Sequence, residues 1–176
     1  MKFRKLDINN NEELNKMSNM ATSILREHYD PILGKEQNDY MLEKFQSVSA
    51  IKEQVLGGYE YYFAVEGEEV GFLAFYKKDK VLYLSKLYLK KECRGKGYGR
   101  KMVEFTAENA KKYGLSGVEL NVNKYNYDTI KAYEKMGFVR IRDEKNDIGS
   151  GYFMDDFVYL LEVKKRLTLN EKSYIM

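Results

Sequence analysis

Arg94-Gly95-Lys96-Gly97-Tyr98-Gly99-Arg100 decides the fold through what stands on either side of it. Before it, Val81–Leu89 is a β-rich run. After it, Tyr98–Lys112 carries Met102, Val103, Thr106, Ala107 and Ala110 on one helical face. The segment is therefore a turn from strand to helix, rich in glycine and in positive charge. Free N–H groups at a helix N-terminus, with the helix dipole behind them, bind phosphate. Glycines let the main chain come close to the anion, and Arg94, Lys96 and Arg100 add cationic donors. The dinucleotide fingerprint G-x-G-x-x-G is excluded, because the glycines fall at 95, 97 and 99. The P-loop is excluded because Lys90 stands where its first glycine belongs and no Ser or Thr follows Lys96. The plainer alternative is a turn whose glycines only let the helix pack on the sheet.

Outward from this turn, residues 61–65, 70–77 and 81–89 form three β-rich runs. Glu66-Gly67-Glu68 and Lys78-Asp79-Lys80 join them as two tight antiparallel hairpins. On the other side, residues 117–122 are apolar enough for a buried parallel strand. Asn126 or Asp128 opens a further helix ending near Met136-Gly137, and residues 138–142 and 151–164 are two last strands. The first third is helical after a short strand at residues 2–7. Leu14, Met17, Ala21, Ile24 and Leu25 recur at helical spacing over residues 11–27. Residues 28–34, with Pro31, are expected to break that helix. Two shorter helices follow, around Met41, Leu42 and Phe45 and around Val48, Ile51 and Val55. This order predicts an α+β domain of about seven mostly antiparallel strands with one central strand–helix–strand crossover. Residues 1–166 read as a single domain and residues 167–176 as a loosely held tail.

The 176 residues include 30 basic and 27 acidic ones, a net charge of +3. That is too balanced for a protein that coats nucleic acid. The bases cluster locally, at Lys86, Lys90, Lys91, Arg94, Lys96, Arg100 and Lys101, which suits a small anion better than a long one. Neither nucleic acid nor membrane is expected as a partner. The single Cys93 cannot form an internal disulfide, and with the single His28 it cannot build a zinc site, so no metal is expected. The longest apolar stretch, residues 70–76, is too short to span a bilayer. The basic start leads into polar sequence without the apolar core of a signal peptide. The expected compartment is the cytoplasm.

With Arg94, Gly97 and Gly99 in the fixed places, the turn resembles the acyl-CoA-binding motif Q/R-x-x-G-x-G/A of the GNAT superfamily of N-acetyltransferases. Asn126-Tyr127-Asp128-Thr129-Ile130-Lys131-Ala132-Tyr133-Glu134-Lys135-Met136-Gly137-Phe138 resembles the family's N-x-x-A-x-x-L-Y-E-K-x-G-F ending, with Thr129 where Ala is usual. Both motifs occur in order with one strand between them, and the resemblance covers residues 59–163. It implies the acyl-CoA N-acyltransferase fold and direct acetyl transfer from acetyl-CoA to an amine of a small molecule or peptide, without a covalent enzyme intermediate.

The resemblance also implies site residues. Arg94, Gly95, Lys96, Gly97, Tyr98, Gly99 and Arg100 would hold the diphosphate of acetyl-CoA. Leu87, Tyr88 and Leu89 would run beside its pantetheine arm, in a slot where their strand and the one starting at Gly117 splay apart. A main-chain N–H near Leu87 or Leu89 would hold the developing oxyanion, a contact worth about 3–4 kcal/mol. Tyr133, seven residues and almost two turns after Asn126, would be the general acid, because a phenol stays protonated at neutral pH and can pass its proton to a departing thiolate. Asn126 would contact the pantetheine or cap its own helix. Many relatives carry a glutamate base on the fourth strand; here Ser85 stands there, leaving Glu119, Asn121 or a water relay. His28 and Tyr29 would fall on the acceptor side. Asp155 and Asp156, in a run resembling bacterial polyamine-type members, would attract a cationic amine. A monomer or homodimer is expected. The alternatives are a non-catalytic CoA-binding or sensory module on the same fold, and a polyanion-binding protein using the 86–101 patch.

Overall fold

The computed structural model describes residues 1–163; the expected tail and the last residues of the expected domain lie outside them. Strand β1 (Lys2–Lys5) leads into helices α1 (Asn11–Leu33), α2 (Lys35–Gln46) and α3 (Val48–Leu56). Strands β2 (Glu60–Glu66), β3 (Glu68–Lys78) and β4 (Val81–Leu89) follow, then α4 (Tyr98–Lys112), β5 (Gly117–Asn123), α5 (Tyr127–Lys135), β6 (Val139–Gly149) and β7 (Tyr152–Glu162). One sheet runs in the order β1-β2-β3-β4-β5-β7-β6. Every neighbouring pair is antiparallel except β4 and β5, which are parallel and joined through α4. The α+β fold with its central crossover is thus the one the element order predicts. Among the described residues, no helix is long and apolar enough to cross a membrane.

The alternation of β3 divides the core. Leu73 and Phe75 face Leu82, Leu84 and Val118, covered by Met102, Val103 and Ala110 of α4. Phe72 and Ala74 face the other way, onto Leu14, Met17, Ala21, Ile24 and Leu25 of α1 and Ile51 of α3. A strand buried on both faces needs helices on both sides, and the first third of the chain supplies one of those layers.

Two boundaries differ from expectation. Helix α1 does not break at residue 28 but runs to Leu33, with Pro31 in its last turn. Proline removes one N–H there, yet the Gly34 N–H still reaches the Asp30 carbonyl at 3.1 Å. From α2, the Asn38 amide holds both the Leu25 carbonyl (3.1 Å) and the Asp30 carboxylate (2.6 Å). Strand β6 runs to Gly149 rather than residue 142. It is an edge strand with mostly exposed side chains, so backbone pairing with β7 extends it where no apolar alternation marks it.

Two irregularities create the site. The β3–β4 register steps from Phe75↔Leu84 to Ala74↔Lys86, leaving Ser85 unpaired as a bulge. The β4–β5 pairing stops after Val81↔Gly117, Leu82↔Val118 and Tyr83↔Glu119, while β5 stays paired to β7 as far as Asn123↔Asp156. Beyond Tyr83 the two strands part.

Strand β4 is seated very close to β3 beside this gap. A Cβ on Gly71 would lie 2.1 Å from the Tyr88 carbonyl oxygen and 3.0 Å from the Leu89 Cα. Gly71→Ala must push the strands apart and should lower stability by about 1–3 kcal/mol, as overpacked cores do. Urea unfolding checks it, and an unchanged midpoint would contradict this packing.

Candidate active site

Two cavities meet where β4 and β5 part. The first, about 540 Å³, is lined by Leu87 and Leu89 of β4, Arg94 and Gly95 of the turn, Gly99 of α4, and Asn126, Thr129 and Tyr133 of the second motif. The second, about 600 Å³, lies among α1, α2, α3, β4 and β7, with Met41, Phe45, Tyr59, Tyr76, Tyr83, Lys86 and Asp156 in its wall. Tyr29, Ser85, Tyr88 and Asn121 line both.

The glycine-rich turn sits at the mouth of α4. Gly97 is the N-cap at φ +79°, in the left-handed region that favours glycine. No described side chain caps α4, so its first N–H groups keep their capacity for an anion. Arg94 donates to the Leu89 carbonyl (3.2 Å) and lies 3.7 Å from Glu27, while Arg100 reaches the Lys135 carbonyl at 3.4 Å. Of the expected diphosphate residues, Arg94, Gly95 and Gly99 line the first cavity, whereas Lys96, Gly97, Tyr98 and Arg100 do not. Lys86 does not belong to the expected basic cluster. The Ser85 bulge puts it opposite Ala74, on the α1 face, where it is buried in the wall of the second cavity.

Tyr133 is buried, edge-on to Phe138 with ring centres 5.3 Å apart. Burial pushes its pKa up, so the phenol carries its proton throughout the neutral range. Asn126 stands at the N-cap of α5, but its side chain makes no capping bond there; its amide nitrogen lies 2.9 Å from His28 Nε2. His28 therefore lines the first cavity and not the second. The cause is the unbroken α1, which carries His28 towards the turn. Burial, and then the nearby Arg94, lower the His28 pKa, keeping the ring neutral at neutral pH. Tyr29 stands between the cavities, its hydroxyl interacting with Tyr88 and Asn126.

Ser85 and Asn121 line both cavities. The Asn121 amide donates to Glu144 at 3.1 Å. Glu119 lines neither cavity and is held by Lys78 (2.8 Å) and Arg142 (3.0 Å). Burial raises its pKa, but Arg142 and Lys78 outweigh that and hold it low. Asp155 is paired with Lys124 at 2.6 Å. Asp156 is different. It is 7% exposed and lines the second cavity. Burial, reinforced by Asp155 and Glu144 and opposed by Asn121 and Lys124, raises its pKa from 3.8 to about 6. A carboxyl near neutrality inside a cleft is the setting of a general base. The sequence shows the aspartate but not its burial, which α1, β4 and β5 impose from far along the chain. Among the described residues, no group of three or more His, Cys, Asp or Glu could hold a metal ion.

Known proteins resemble this chain in sequence and in fold. The chain matches the family model described as the Acetyltransferase (GNAT) family over residues 21–138. It is 26% identical over 136 residues to an uncharacterized N-acetyltransferase in the pepI 3' region of Lactobacillus delbrueckii subsp. lactis, a match covering 69% of this chain and 78% of that protein. It is 30% identical over 95 residues to the peptidyl-lysine N-acetyltransferase YjaB of Salmonella typhimurium, covering 53% and 59% of the two chains. Its fold is similar to the PaiA N-acetyltransferase of Thermoplasma acidophilum, solved in complex with coenzyme A, with a TM-score of 0.75 at 22% identity over 92% of this chain and 98% of that one.

Asp156 gives a stability test. A carboxyl raised from 3.8 to about 6 stabilises the fold fully below the lower value, and that contribution is lost as pH rises through the upper one. Above pH 6 its ionisation costs on the order of 3 kcal/mol. Asp156→Asn should therefore be more stable than the parent near pH 8, by up to that amount, with the gain vanishing near pH 4. Urea unfolding at the two pH values reads the difference, and an Asn variant weaker at both would contradict the buried carboxylate.

Proposed function

The chain belongs to the GNAT acetyltransferase family and is an acetyl-CoA-dependent acyltransferase, and from that premise we propose that it acetylates the amine of a small molecule held in the second cavity. The observation that carries this reading is the meeting of two cavities at the parted edges of β4 and β5, with Tyr133 in one and Asp156 in the other.

Acetyl-CoA fits the first cavity. The uncapped start of α4 and Arg94 suit its diphosphate. The β4 edge past Tyr83 offers main-chain groups that β5 does not take, and buried groups of that kind need a partner. One of their N–H groups would polarise the thioester carbonyl. Acetyl-CoA supplies the activated acyl group; the chain supplies position and proton management.

On this reading Asp156, largely ionised at neutral pH, takes a proton from the acceptor's ammonium, whose own pKa falls in the same apolar surroundings. The amine lone pair attacks the thioester carbon and the C–S bond breaks. Tyr133 gives its proton to the departing thiolate and is restored by the second proton that the acylated nitrogen sheds. Its raised pKa does not prevent this, since the low dielectric that raises the phenol also raises the basicity of the thiolate.

Tyr133→Phe should lower kcat by about 10²–10⁴-fold with little change in acetyl-CoA affinity, measured by thiol release and by calorimetry. An unchanged kcat would remove Tyr133 as the acid. The profile of kcat/KM should rise with pH through about 6, set by Asp156 among Asn121, Lys124, Glu144 and Asp155 and the tyrosines of α1 and β4. Asp156→Asn should abolish that limb. A limb that survives the substitution assigns the base elsewhere.

A further inference from the structure

Lys86 follows the bulged Ser85 on β4 and stands in the wall of the second cavity. It is 9% exposed. Among the described residues no carboxylate lies within ion-pair distance, and burial alone pushes its pKa down, to about 8. Its Nζ lies 5.6 Å from the centroid of the Phe45 ring. A ring face compensates only part of what an ammonium loses when it leaves water. Methionine would fill the same space without that cost. An unpaired, nine-tenths-buried cation facing a cavity calls for an anion that enters with a ligand.

Asp156 lines the same cavity. Its charge is felt by Tyr29, Tyr83 and Tyr88, which puts it towards the junction of the two cavities. Among the described residues, no ion pair joins it to Lys86. Two opposite charges are thus buried in one cavity without neutralising each other, between aromatic walls.

We infer that the acceptor is an aminocarboxylate, a small amine carrying its own carboxylate, with the ammonium at Asp156 and the carboxylate on Lys86. The inference rests on the acetyl-transfer reading and names its substrate class. A bipolar ligand satisfies both buried charges. A polyamine would set a cation against Lys86, and unlike partners are rejected by such repulsion. The polyamine-type resemblance of the Tyr152–Phe157 run does not extend to this residue. Atoms balance as in any amide-forming transfer: the N–C bond forms as the thioester C–S bond breaks, one ammonium proton ends on the coenzyme A thiol, and the other leaves through Asp156 to solvent.

The test compares ligands of equal length that differ at the far end. 4-Aminobutanoate is set against 1,4-diaminobutane, 6-aminohexanoate against 1,6-diaminohexane, and phenylalanine against phenethylamine. Each is titrated calorimetrically into the full chain saturated with coenzyme A, and thiol release is followed separately with acetyl-CoA. In at least one pair the aminocarboxylate should bind about tenfold more tightly or better, the scale of one buried charge contact. Lys86→Met should erase that preference by weakening the aminocarboxylate, raising its KM more than it lowers kcat. A raised Tm reports that the variant is folded. Tighter binding of the amine member in every pair, a preference that survives Lys86→Met, or no binding of any probe would each overturn the assignment. Preference without thiol release would leave the anion contact standing and remove acetyl transfer; thiol release indifferent to Lys86 would do the reverse.

Discussion

The site depends on β4 and β5 pairing for three residues and then parting. Parallel strands joined by a helix normally pair along their length, and each buried main-chain group left unpaired costs about 1–3 kcal/mol. The gap survives because each strand is anchored on its other side. Strand β4 stays paired to β3 as far as Gly71↔Leu89, and β5 to β7 as far as Asn123↔Asp156. The two edges are held apart by rigid neighbours, so a ligand with amide groups finds the partners ready-made and loses little ordering entropy.

One inserted residue then decides which side chains face the gap from which side. Without the bulge at Ser85, strict alternation would keep Leu82, Leu84, Lys86 and Tyr88 on one face. With it, Leu84 packs in the α4 layer while Lys86 and Tyr88 turn towards α1, opposite Ala74 and Phe72. Leu87 and Leu89 are correspondingly delivered to the α4 layer, along the first cavity. Both cavities therefore take their β4 walls from the same local shift in register.

This explains what the sequence reveals and what it conceals. The glycine turn, α4, the hairpins and the second motif are legible because each is marked by local chemistry: glycine where φ is positive, an apolar stripe at helical spacing, turn residues between β-rich runs. The bulge has no such mark, since VLYLSKLYL reads equally well as a regular strand, and Lys86 accordingly reads as one more member of a basic surface. Pro31 reads as a stop, but its place in a last turn held by Asn38 lets α1 continue and moves His28 to the side of the first cavity. Asp155 and Asp156 are indistinguishable as letters. Their difference comes from Lys124, which lies against one, and from α1, β4 and β5, which enclose the other.

Lys86 and Asp156 together bear on stability in a way neither does alone. Lowering a lysine from 10.5 to about 8 contributes stability only at high pH, and it is lost as pH falls through 8. Raising an aspartate from 3.8 to about 6 contributes only at low pH, and it is lost as pH rises through 6. Between about pH 6 and 8 both groups are charged and each costs on the order of 3 kcal/mol, a large share of the 5–15 kcal/mol that holds a typical domain together. The fold would recover much of this if the two charges met, but a closed pair would fill the cavity and leave neither charge for a ligand. Held apart, they make the fold least stable between about pH 6 and 8. An occupant carrying both opposite charges would recover part of what the fold has given up.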